Sequence, residues 1–552
     1  MADPHAGPPE PRVIPVTSEF PVSWDVPEDQ HIPWEFDPMH FSNPLPRWKN
    51  ELWCEMADLG MSRAFAGYQM PIRARGKIFN DYNYATMFPV VPPEEMESQG
   101  KKAEATLGLA LTSMHERWEV EWLPEIRQYL AFWDTCDLVA LSLEEMLVHY
   151  DATIEKVRRL WHLHFEIVVP VYAATGFFDD LYKDLLEDQG TFSAIQLLGG
   201  FDNKTLETDR ALWDLSRKAT DTEVRQIMTM KVSSEVVAAL QDSAAGQVFF
   251  GELNAYLADY GQRGASWSPS EPSWLEDPSP MIKNLQDYIG QERGDPRERW
   301  AAQTEERETG LAKAREQLAG YPEQVRGQFE FLFQVVQVGI GLCEDHGFWI
   351  DFQSMHRVRM VMVEVGRRLA EAGVVAEAAD AFHLGMAEVR DALATLPAER
   401  KADIERHRGL QPPMQLGTDY GPRPEDPLSR AFGKFSGTPP EPTEEEGNLN
   451  GHAGSPGKIQ GTAKVVRSLA EAEKLQQGDI LVTGTTSPPW TPFFATAGAI
   501  VTDTGGILSH CAVVAREYRI LAVVGTGAAT KLISDGQVLE VDGDNGIVRI
   551  VG

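Results

Sequence analysis

The chain has 552 residues, of which 43% are apolar and 24% charged, a composition typical of globular proteins. Asp and Glu total 83 against 50 Lys and Arg, which gives a formal net charge of −33. This balance argues against nucleic acid, which proteins bind by neutralising phosphates, and against an anionic membrane surface. At about 100–200 residues per domain, the length predicts three or four domains.

Features that would direct the chain out of the cytoplasm are not found in the sequence. The N-terminus has neither the basic nor the apolar region of a signal peptide, and no run of about 18 apolar residues predicts a membrane span. The four cysteines are far apart and predict neither a disulfide framework nor a zinc site. We therefore expect a cytoplasmic protein.

The first 408 residues predict a mainly α-helical body with an unusual N-terminus. Residues 1–50 are rich in proline and aromatic residues, so we expect an extended segment that packs on the body through its aromatics. Residues 51–408 are dominated by helical periodicity, which predicts a helical region. Three of the predicted helices are Ser142–Phe165, Glu323–Gly373 with an interruption near Gly347, and Ala376–Leu396.

The composition changes at about residue 409. Residues 409–456 contain many Pro and Gly and the acidic run Glu444-Glu445-Glu446, which predicts a flexible linker with a reach of about 35–40 Å. From residue 457 to residue 552 short β runs predict a small α/β domain. Its predicted strands are Ala463–Arg467, Asp479–Val482, Ala499–Thr502, Leu521–Gly525, and the hairpin of Gln537–Val541 with Ile547–Val551.

One segment of this last domain carries chemistry. A buried strand runs into Gly505-Gly506 and then into a helix for which Ser509 is the predicted N-cap. His510 then lies in the first helical turn, where free N–H groups and the helix dipole favour an anion and disfavour a protonated imidazole. A nucleophilic histidine that accepts a phosphoryl group fits this position, and so does a histidine that merely begins a helix.

The segment resembles the phosphohistidine signature of the phosphoenolpyruvate-utilising enzymes, TGG-x-x-SH-x-A-x-x-ARE. The resemblance covers residues 455–552 and includes Gly478–Val482 and Pro489–Pro492, with Leu521 in place of the usual proline. It implies a swivelling domain on which His510 carries a phosphoryl group between two remote sites. We expect the phosphoryl site to involve four further residues, Gly505, Gly506, Ser509 and Arg516.

The helical body resembles the acceptor region of rifampin phosphotransferase and the large catalytic subunit of phenylphosphate synthase. The residues that carry this resemblance are Glu35–Phe41, Gly200–Lys204, Tyr260–Gly264 and Trp274–Pro278. It implies that a separate ATP-grasp subunit supplies the phosphoryl group from ATP with Mg²⁺, since no nucleotide-binding motif is found here. We expect no covalently bound cofactor, and leave open whether any metal binds this chain.

Four residues of the body are candidates for the acceptor side. On a continuous helix His346 and Arg357 fall on one stripe with Gln353, so His346 could act as general base while Arg357 holds phosphoryl oxygens. Arg263, in a Gly-flanked loop, is a second candidate phosphate clamp, and His164 is a second candidate base. Each also has a purely structural interpretation: a polar helix contact, a solvated turn residue or a core histidine.

The expected function is phosphoryl transfer to a small organic hydroxyl compound. Thirteen of the 14 tryptophans precede residue 350, which is consistent either with core packing or with an aromatic-lined acceptor pocket. Two alternatives remain open. One is a fragment of an enzyme of phosphoenolpyruvate or pyruvate, against which the missing pyruvate-binding barrel argues. The other is a non-catalytic protein whose phosphorylated His510 regulates a binding partner.

Overall fold

The structure is a computed structural model that divides into two compact units. The described residues are 11–38, 40–41, 43–186, 193–264, 267–290, 295–391, 397–421, 426–437 and 447–551. The first unit comprises Met1–Pro170 with Ser354–Ser429, and the second comprises Val171–Gln353 with Arg430–Gly552. The predicted acidic run 444–446 lies outside the described residues.

The N-terminal part of the chain mixes short strands with helices. Its elements are β1 Arg12–Val13, β2 Pro33–Phe36, α1 Arg47–Glu55, α2 Ser62–Gly67, β3 Ile72–Phe79, β4 Tyr82–Pro89, α3 Met96–Arg117, α4 Leu123–Asp134 and α5 Leu143–Leu186. The predicted helix from Ser142 is thus confirmed, and it continues beyond Phe165.

The hairpin of β3 and β4 lies in a region that the sequence predicts as helical, so the helical interpretation is wrong there. The two strands pair in antiparallel register from Ile72↔Pro89 to Phe79↔Tyr82. Asn80 and Asp81 form the two-residue loop with φ of 50° and 63°. Short polar side chains tolerate this left-handed conformation, which matches the twist of a hairpin. Both strands are partly covered on each face, which blurs the alternation expected of a strand.

The first unit contains an antiparallel sheet that joins distant parts of the chain. With β5 Gln415–Asp419, the described strands are arranged in the order β1-β5-β2-β4-β3. Aromatic side chains from the N-terminal segment pack in its core. The core consists of Phe20, Trp34, Phe36, Phe79, Tyr82, Tyr84 and Leu416.

The described residues between 193 and 436 are mainly helical. The α-helices there are α6 Ser193–Gln196, α7 Lys204–Lys218, α8 Thr222–Met230, α9 Ser233–Gln241, α10 Ala244–Tyr260, α11 Ser279–Gly290, α12 Pro296–Leu318, α13 Glu323–His346, α14 Met355–Glu371, α15 Met386–Asp391, α16 Pro397–His407 and α17 Pro427–Ser436. Helices α7 to α11 enclose a core that includes Trp213, Leu253 and Trp274. Among the described residues, no helix combines the length and apolarity that a bilayer crossing needs.

The interruption predicted near Gly347 is confirmed, and it has a defined form. A π-helical segment, Gly347–Ser354, separates α13 from α14. The third predicted helix, Ala376–Leu396, is wrong as one element. It consists of a 3₁₀ helix, Ala378–His383, and of α15, and residues 392–396 lie outside the described residues. A capping box between Glu377 and Asp380 begins a separate short helix there.

The predicted coil at 409–456 is wrong wherever the structure describes an element in it. Strand β5 and helix α17 lie in this stretch, as do β6 Asn448–Asn450 and β7 His452–Ser455. Helix α17 forms because Leu428, Ala431 and Phe432 recur at helical spacing, and Ala431 is buried. The prediction that this segment allows the last domain to move remains a prediction.

The C-terminal domain is the predicted small α/β domain. Its further elements are β8 Lys458–Val465, β9 Ile480–Thr483, α18 Thr491–Phe494, β10 Ala499–Thr502, α19 His510–Glu517, β11 Leu521–Val524, α20 Ala529–Leu532, β12 Val538–Asp542 and β13 Ile547–Ile550. The described strands form a mixed sheet in the order β6-β13-β12-β8-β9-β10-β11-β7, with β8 to β11 parallel. The predicted hairpin is confirmed as β12–β13. The loop before α19 therefore follows the carboxyl end of a central parallel strand.

Candidate active site

The loop between β10 and α19 presents His510 as the first residue of its helix. The side chain of Ser509 accepts a hydrogen bond from the N–H of Ala512, so the predicted N-cap is confirmed. Gly505 has a φ of 105°, and a Cβ atom there would lie 2.8 Å from the Ser509 hydroxyl oxygen. This position therefore requires glycine.

Each ring nitrogen of His510 has an identifiable neighbour. Nε2 lies 3.5 Å from the Thr491 hydroxyl oxygen. A hydrogen bond with the backbone of Ser487 raises the pKa of the imidazole, as a bond from a ring N–H to a carbonyl oxygen does. Since Nε2 faces Thr491, we assign that N–H to Nδ1. The lone pair of neutral His510 then lies on Nε2, the atom that attacks an electrophile.

The environment of His510 keeps the ring neutral. Burial is the largest effect and lowers its pKa, Glu344 raises it, and Arg263 lowers it again. The sum is a pKa below the ordinary value of 6.5. Arg263 and Glu344 belong to the helical part of the second unit, so the histidine is within electrostatic reach of that part.

Arg263, the predicted phosphate clamp, is buried, with 3% of its surface exposed. Its Nη2 donates to the hydroxyl of Thr208 at 2.9 Å, and its guanidinium lies 5.3 Å and 5.8 Å from the ring centroids of Phe352 and Phe348. Its Nε makes no hydrogen bond to any residue that the structure describes. Burial lowers the pKa of this guanidinium, as expected for a cation that no carboxylate in the described part of the chain contacts.

A second cation, Lys204, lies near Phe348, and three carboxylates contact Lys204 or the residue that follows it. The Lys204 ammonium is 5.5 Å from the Phe348 ring centroid and 2.8 Å from a Glu207 oxygen. The N–H of Lys204 donates to Asp345 at 2.8 Å, and burial raises the pKa of Asp345 to about 6. Glu344 accepts a hydrogen bond from the Thr205 hydroxyl at 2.7 Å. The region thus combines aromatic surface with groups of both charges.

His346, the predicted general base, is buried near the end of α13. Its Nδ1 donates to the carbonyl oxygen of Leu342 at 3.1 Å, which leaves Nε2 as the nitrogen that can accept a proton. Nε2 lies 4.0 Å from a carboxylate oxygen of Asp351. A carboxylate at this distance stabilises the protonated imidazole that general-base catalysis creates.

The stripe predicted from His346 through Gln353 to Arg357 rests on a continuous α-helix, and the π-helical segment changes that spacing. Gln353 donates to the side-chain oxygen of Gln262 at 2.8 Å. Arg357, in the first unit, makes a bidentate ion pair with Asp134 at 2.7 and 2.8 Å. A carboxylate thus already matches the charge of Arg357, and the role of Arg357 as a phosphate-binding cation stays a prediction.

Two residues predicted to contact the phosphoryl group, Arg516 and Gly506, make hydrogen bonds within the protein. Nη1 of Arg516 donates to the Gly454 carbonyl at 2.7 Å, because a residue six positions after His510 lies on another face of the helix. The N–H of Gly506 donates to the Phe435 carbonyl at 2.9 Å. Both groups therefore have hydrogen-bond partners within the protein, and their part in binding the phosphoryl group stays a prediction.

His164, the second candidate base, lies in the first unit on α5. Its ring packs edge-on against Trp161 and Phe165, with centroids 5.4 Å and 4.8 Å away. Its part in the reaction stays a prediction.

The sequence did not single out Thr491 or Lys434 as functional residues. Thr491 lies in Pro489–Pro492, a segment of the family resemblance, and nothing in its spacing indicates that it reaches the histidine. Lys434 lies in the stretch 409–456, where the composition predicts a flexible linker. Both are recognised only when the chain is folded.

Two regions of the chain match models of known protein domains. Residues 163–344 match the model of the rifampicin phosphotransferase fourth domain, and residues 475–546 match the mobile domain of the PEP-utilising enzymes. Among similar proteins, chondramide synthase CmdD of Chondromyces crocatus is 38% identical over 98% of this chain and 14% of its own length.

Two further relatives are shorter than CmdD but longer than this chain. The uncharacterized phosphotransferase YvkC of Bacillus subtilis is 30% identical over 77% of this chain and 51% of its own length. Rifampicin phosphotransferase of Streptomyces sviceus is 29% identical over 70% of this chain and 44% of its own length. The chain thus spans about half or less of the length of these relatives. It is similar to the rifampicin phosphotransferase fourth domain in its helical region and to the mobile domain of the PEP-utilising enzymes in the region that includes His510.

Proposed function

We propose that this chain is a phosphotransferase that carries a phosphoryl group on His510 and delivers it to a hydroxyl group of an organic molecule. The supporting observation is the position of His510: a neutral imidazole, with Nε2 beside the Thr491 hydroxyl, within electrostatic reach of the buried cation Arg263. Phosphoryl transfer depends mainly on positioning and on neutralisation of charge.

In the first step Nε2 of His510 attacks the phosphorus of the donor. The N–P bond forms, the donor's O–P bond breaks, and Nδ1 keeps its proton toward the Ser487 carbonyl. When Nδ1 keeps its proton, the breaking of the N–P bond releases a neutral imidazole. This is a better leaving group than the imidazolate that would leave if Nδ1 had no proton. The same hydrogen bond that sets the tautomer therefore favours the second transfer.

In the second step the acceptor oxygen attacks the phosphorus while the N–P bond breaks. The hydroxyl proton passes to a base, for which His346 Nε2 is the candidate, and Arg263 neutralises charge on the phosphoryl oxygens. The aromatic rings of Phe348 and Phe352 beside Arg263 suit an organic, aromatic acceptor. The rifampicin phosphotransferases, whose name gives an organic acceptor, support this class.

The donor in this proposal is ATP with Mg²⁺ on an ATP-grasp partner in the cytoplasm. The carrier domain would move between that partner and the helical region, using the chain between 409 and 456. This part rests on the resemblance to phenylphosphate synthase, which implies an ATP-grasp domain on a separate subunit.

The test supplies the full chain with the ATP-grasp protein, labelled ATP, Mg²⁺ and a panel of phenols and alcohols. We expect a labelled phosphate ester that requires His510. Labelling from phosphoenolpyruvate instead of ATP would favour the phosphoenolpyruvate-linked alternative. A stable phosphohistidine that no hydroxyl compound discharges would contradict the transferase and favour a regulatory role.

A further inference from the structure

Helix α17 lies outside the carrier domain in sequence but contributes directly to the loop that carries His510. The N–H groups of Gly506 and Leu508 donate to the carbonyl oxygens of Phe435 and Lys434, both at 2.9 Å. These carbonyls belong to the last turn of a helix, where they have no partner within the helix. The end of α17 therefore holds the backbone of the loop two to four residues before His510.

The approach of the two segments is close enough to require glycine. A Cβ atom on Gly506 would lie 2.4 Å from the Lys434 carbonyl oxygen and 2.7 Å from the N atom of Gly437. No side chain fits at that separation. The two glycines of the signature are thus required for different reasons. Gly505 is needed for its backbone angle, and Gly506 is needed because its backbone lies close to α17.

The side chain of the same lysine anchors α17 to the C-terminal half of α5. The Lys434 ammonium lies 2.8 Å from an Asp179 oxygen, 2.6 Å from an Asp180 oxygen and 3.1 Å from the Gly176 carbonyl oxygen. Asp179 is 1% exposed and Lys434 is 16% exposed, so solvent screens this pair little. All four residues belong to the second unit.

Packing between α17 and α5 supports the same anchor. Phe435 stacks on Tyr172 with ring centroids 4.2 Å apart. A Cβ atom on Gly176 would lie 2.3 Å from the Cβ of Ala431. The two helices are therefore in contact through glycine on one side and an aromatic stack on the other.

We propose that Lys434 is a positioning residue for His510. Its side chain fixes α17 on α5, and its carbonyl together with that of Phe435 fixes the loop from which His510 projects. The catalytic loop is then fully ordered only while α17 is seated on α5. The role in transfer rests on the proposed function, whereas the ordering of the loop does not.

The test uses the full chain and two readouts. Hydrogen exchange of the amides of Gly506 and Leu508 reports the order of the loop without any activity. Phosphorylation of His510 by phosphoramidate, followed by peptide mapping at residue 510, reports the reactivity of the imidazole without a partner protein. The variants are Lys434→Met, which removes the charge and keeps the stem, and Lys434→Arg, which keeps the charge.

We expect Lys434→Met to accelerate exchange at both amides and to slow phosphorylation roughly tenfold, since small misplacement of a reacting group has effects of that order or larger. Lys434→Arg should restore both. Gly176→Ala is an independent variant, since alanine favours the α5 helix but displaces Ala431. Wild-type exchange at Gly506 and Leu508 in Lys434→Met and in Gly176→Ala would overturn the proposal. Faster exchange with no phosphorylation of wild-type His510 would support the positioning and contradict the proposed function.

Discussion

The backbone N–H of Gly200 lies 3.3 Å and 3.4 Å from the two carboxylate oxygens of Glu517. Glu517 ends the helix that His510 begins, and Gly200 belongs to the loop before α7. Gln303 of α12 donates to the carbonyl oxygens of Arg516 and Glu517 at 2.9 and 2.7 Å. The carrier helix is therefore held at its C-terminal end by polar contacts with the helical region.

Glu517 predicts a pH dependence of stability. Burial raises its pKa to about 7; the Gly200 N–H, Arg516 and Arg307 oppose that shift, and Glu344 adds to it. Because the folded pKa lies above the ordinary 4.5, the folded state binds more protons between these values. Stability should therefore fall as pH rises from about 4.5 to about 7, by at most about 3 kcal/mol.

Urea unfolding at pH 5 and pH 8 measures this effect, and Glu517→Gln should remove that part of the pH dependence. The matched control is Glu306→Gln, because Glu306 is 67% exposed in its pair with Arg519 and should leave the dependence unchanged. An identical dependence in wild type and Glu517→Gln would exclude Glu517 as its source.

Replacing Arg263 should affect the stability of the fold and the rate of phosphoryl transfer in different ways. Its charge is buried, and no carboxylate of the described residues contacts it, so Arg263→Met should leave the free energy of unfolding unchanged or raise it by about 1–4 kcal/mol. Discharge of phosphorylated His510 to the acceptor should slow by roughly 10²–10³-fold, the usual loss when a group that stabilises transition-state charge is removed.

Urea midpoints and single-turnover discharge measure the two quantities, with the exposed Arg297, changed to Met, as control. An Arg263→Met protein that discharges at the wild-type rate would remove Arg263 from the site. A strongly destabilised Arg263→Met protein would contradict the interpretation that no described carboxylate compensates the charge of Arg263.

The contact between Thr491 and His510 predicts a specific role for one hydroxyl group. Thr491→Val keeps the shape of the side chain and removes the donor at Nε2, whereas Thr491→Ser keeps the donor. We expect Thr491→Val to slow phosphorylation of His510 roughly tenfold, about the value of one hydrogen bond, and Thr491→Ser to stay near wild type. Nitrogen-15 NMR of the His510 ring should show Nδ1 protonated in all three proteins, and protonation mainly on Nε2 would refute the tautomer.

His346 predicts a separation of the two half-reactions. His346→Ala should accept the phosphoryl group on His510 at the wild-type rate, because the base acts only on the acceptor. Its discharge should slow by roughly 10²–10⁴-fold, the usual contribution of a general base. Rapid-quench measurement of each half-reaction tests this. Wild-type discharge would exclude His346, and His164 would then be the base to test.

Much of the carrier domain could be predicted from sequence because local signals agree there. Strand β10 coincides with its predicted range, and the Ser509 cap and the β12–β13 turn follow from residue types that act within a few positions. The resemblance at His510 depends on the same short segment. Sequence alone therefore located the helix that His510 begins, and the role of His510 as nucleophile is the proposal built on it.

The residues that complete the site were harder to predict because they come from distant segments. Thr491 reaches His510 across 19 positions. Gly506 meets a helix about 70 positions earlier, in a stretch whose Pro and Gly content predicted coil. The π-helical segment after His346 changed a spacing that holds only for a regular helix, and Arg357 proved to be paired with Asp134. Such long-range contacts leave no periodic signal in the sequence.

The central claim is that His510 carries the phosphoryl group, and the most direct measurement is the mass of the chain after incubation with the ATP-grasp protein, ATP and Mg²⁺. We predict one added phosphoryl group, labile in acid and stable in base, located on His510 by peptide mapping and missing from His510→Ala. A protein that gains no phosphoryl group, or a His510→Ala variant that gains the same one, would contradict the account.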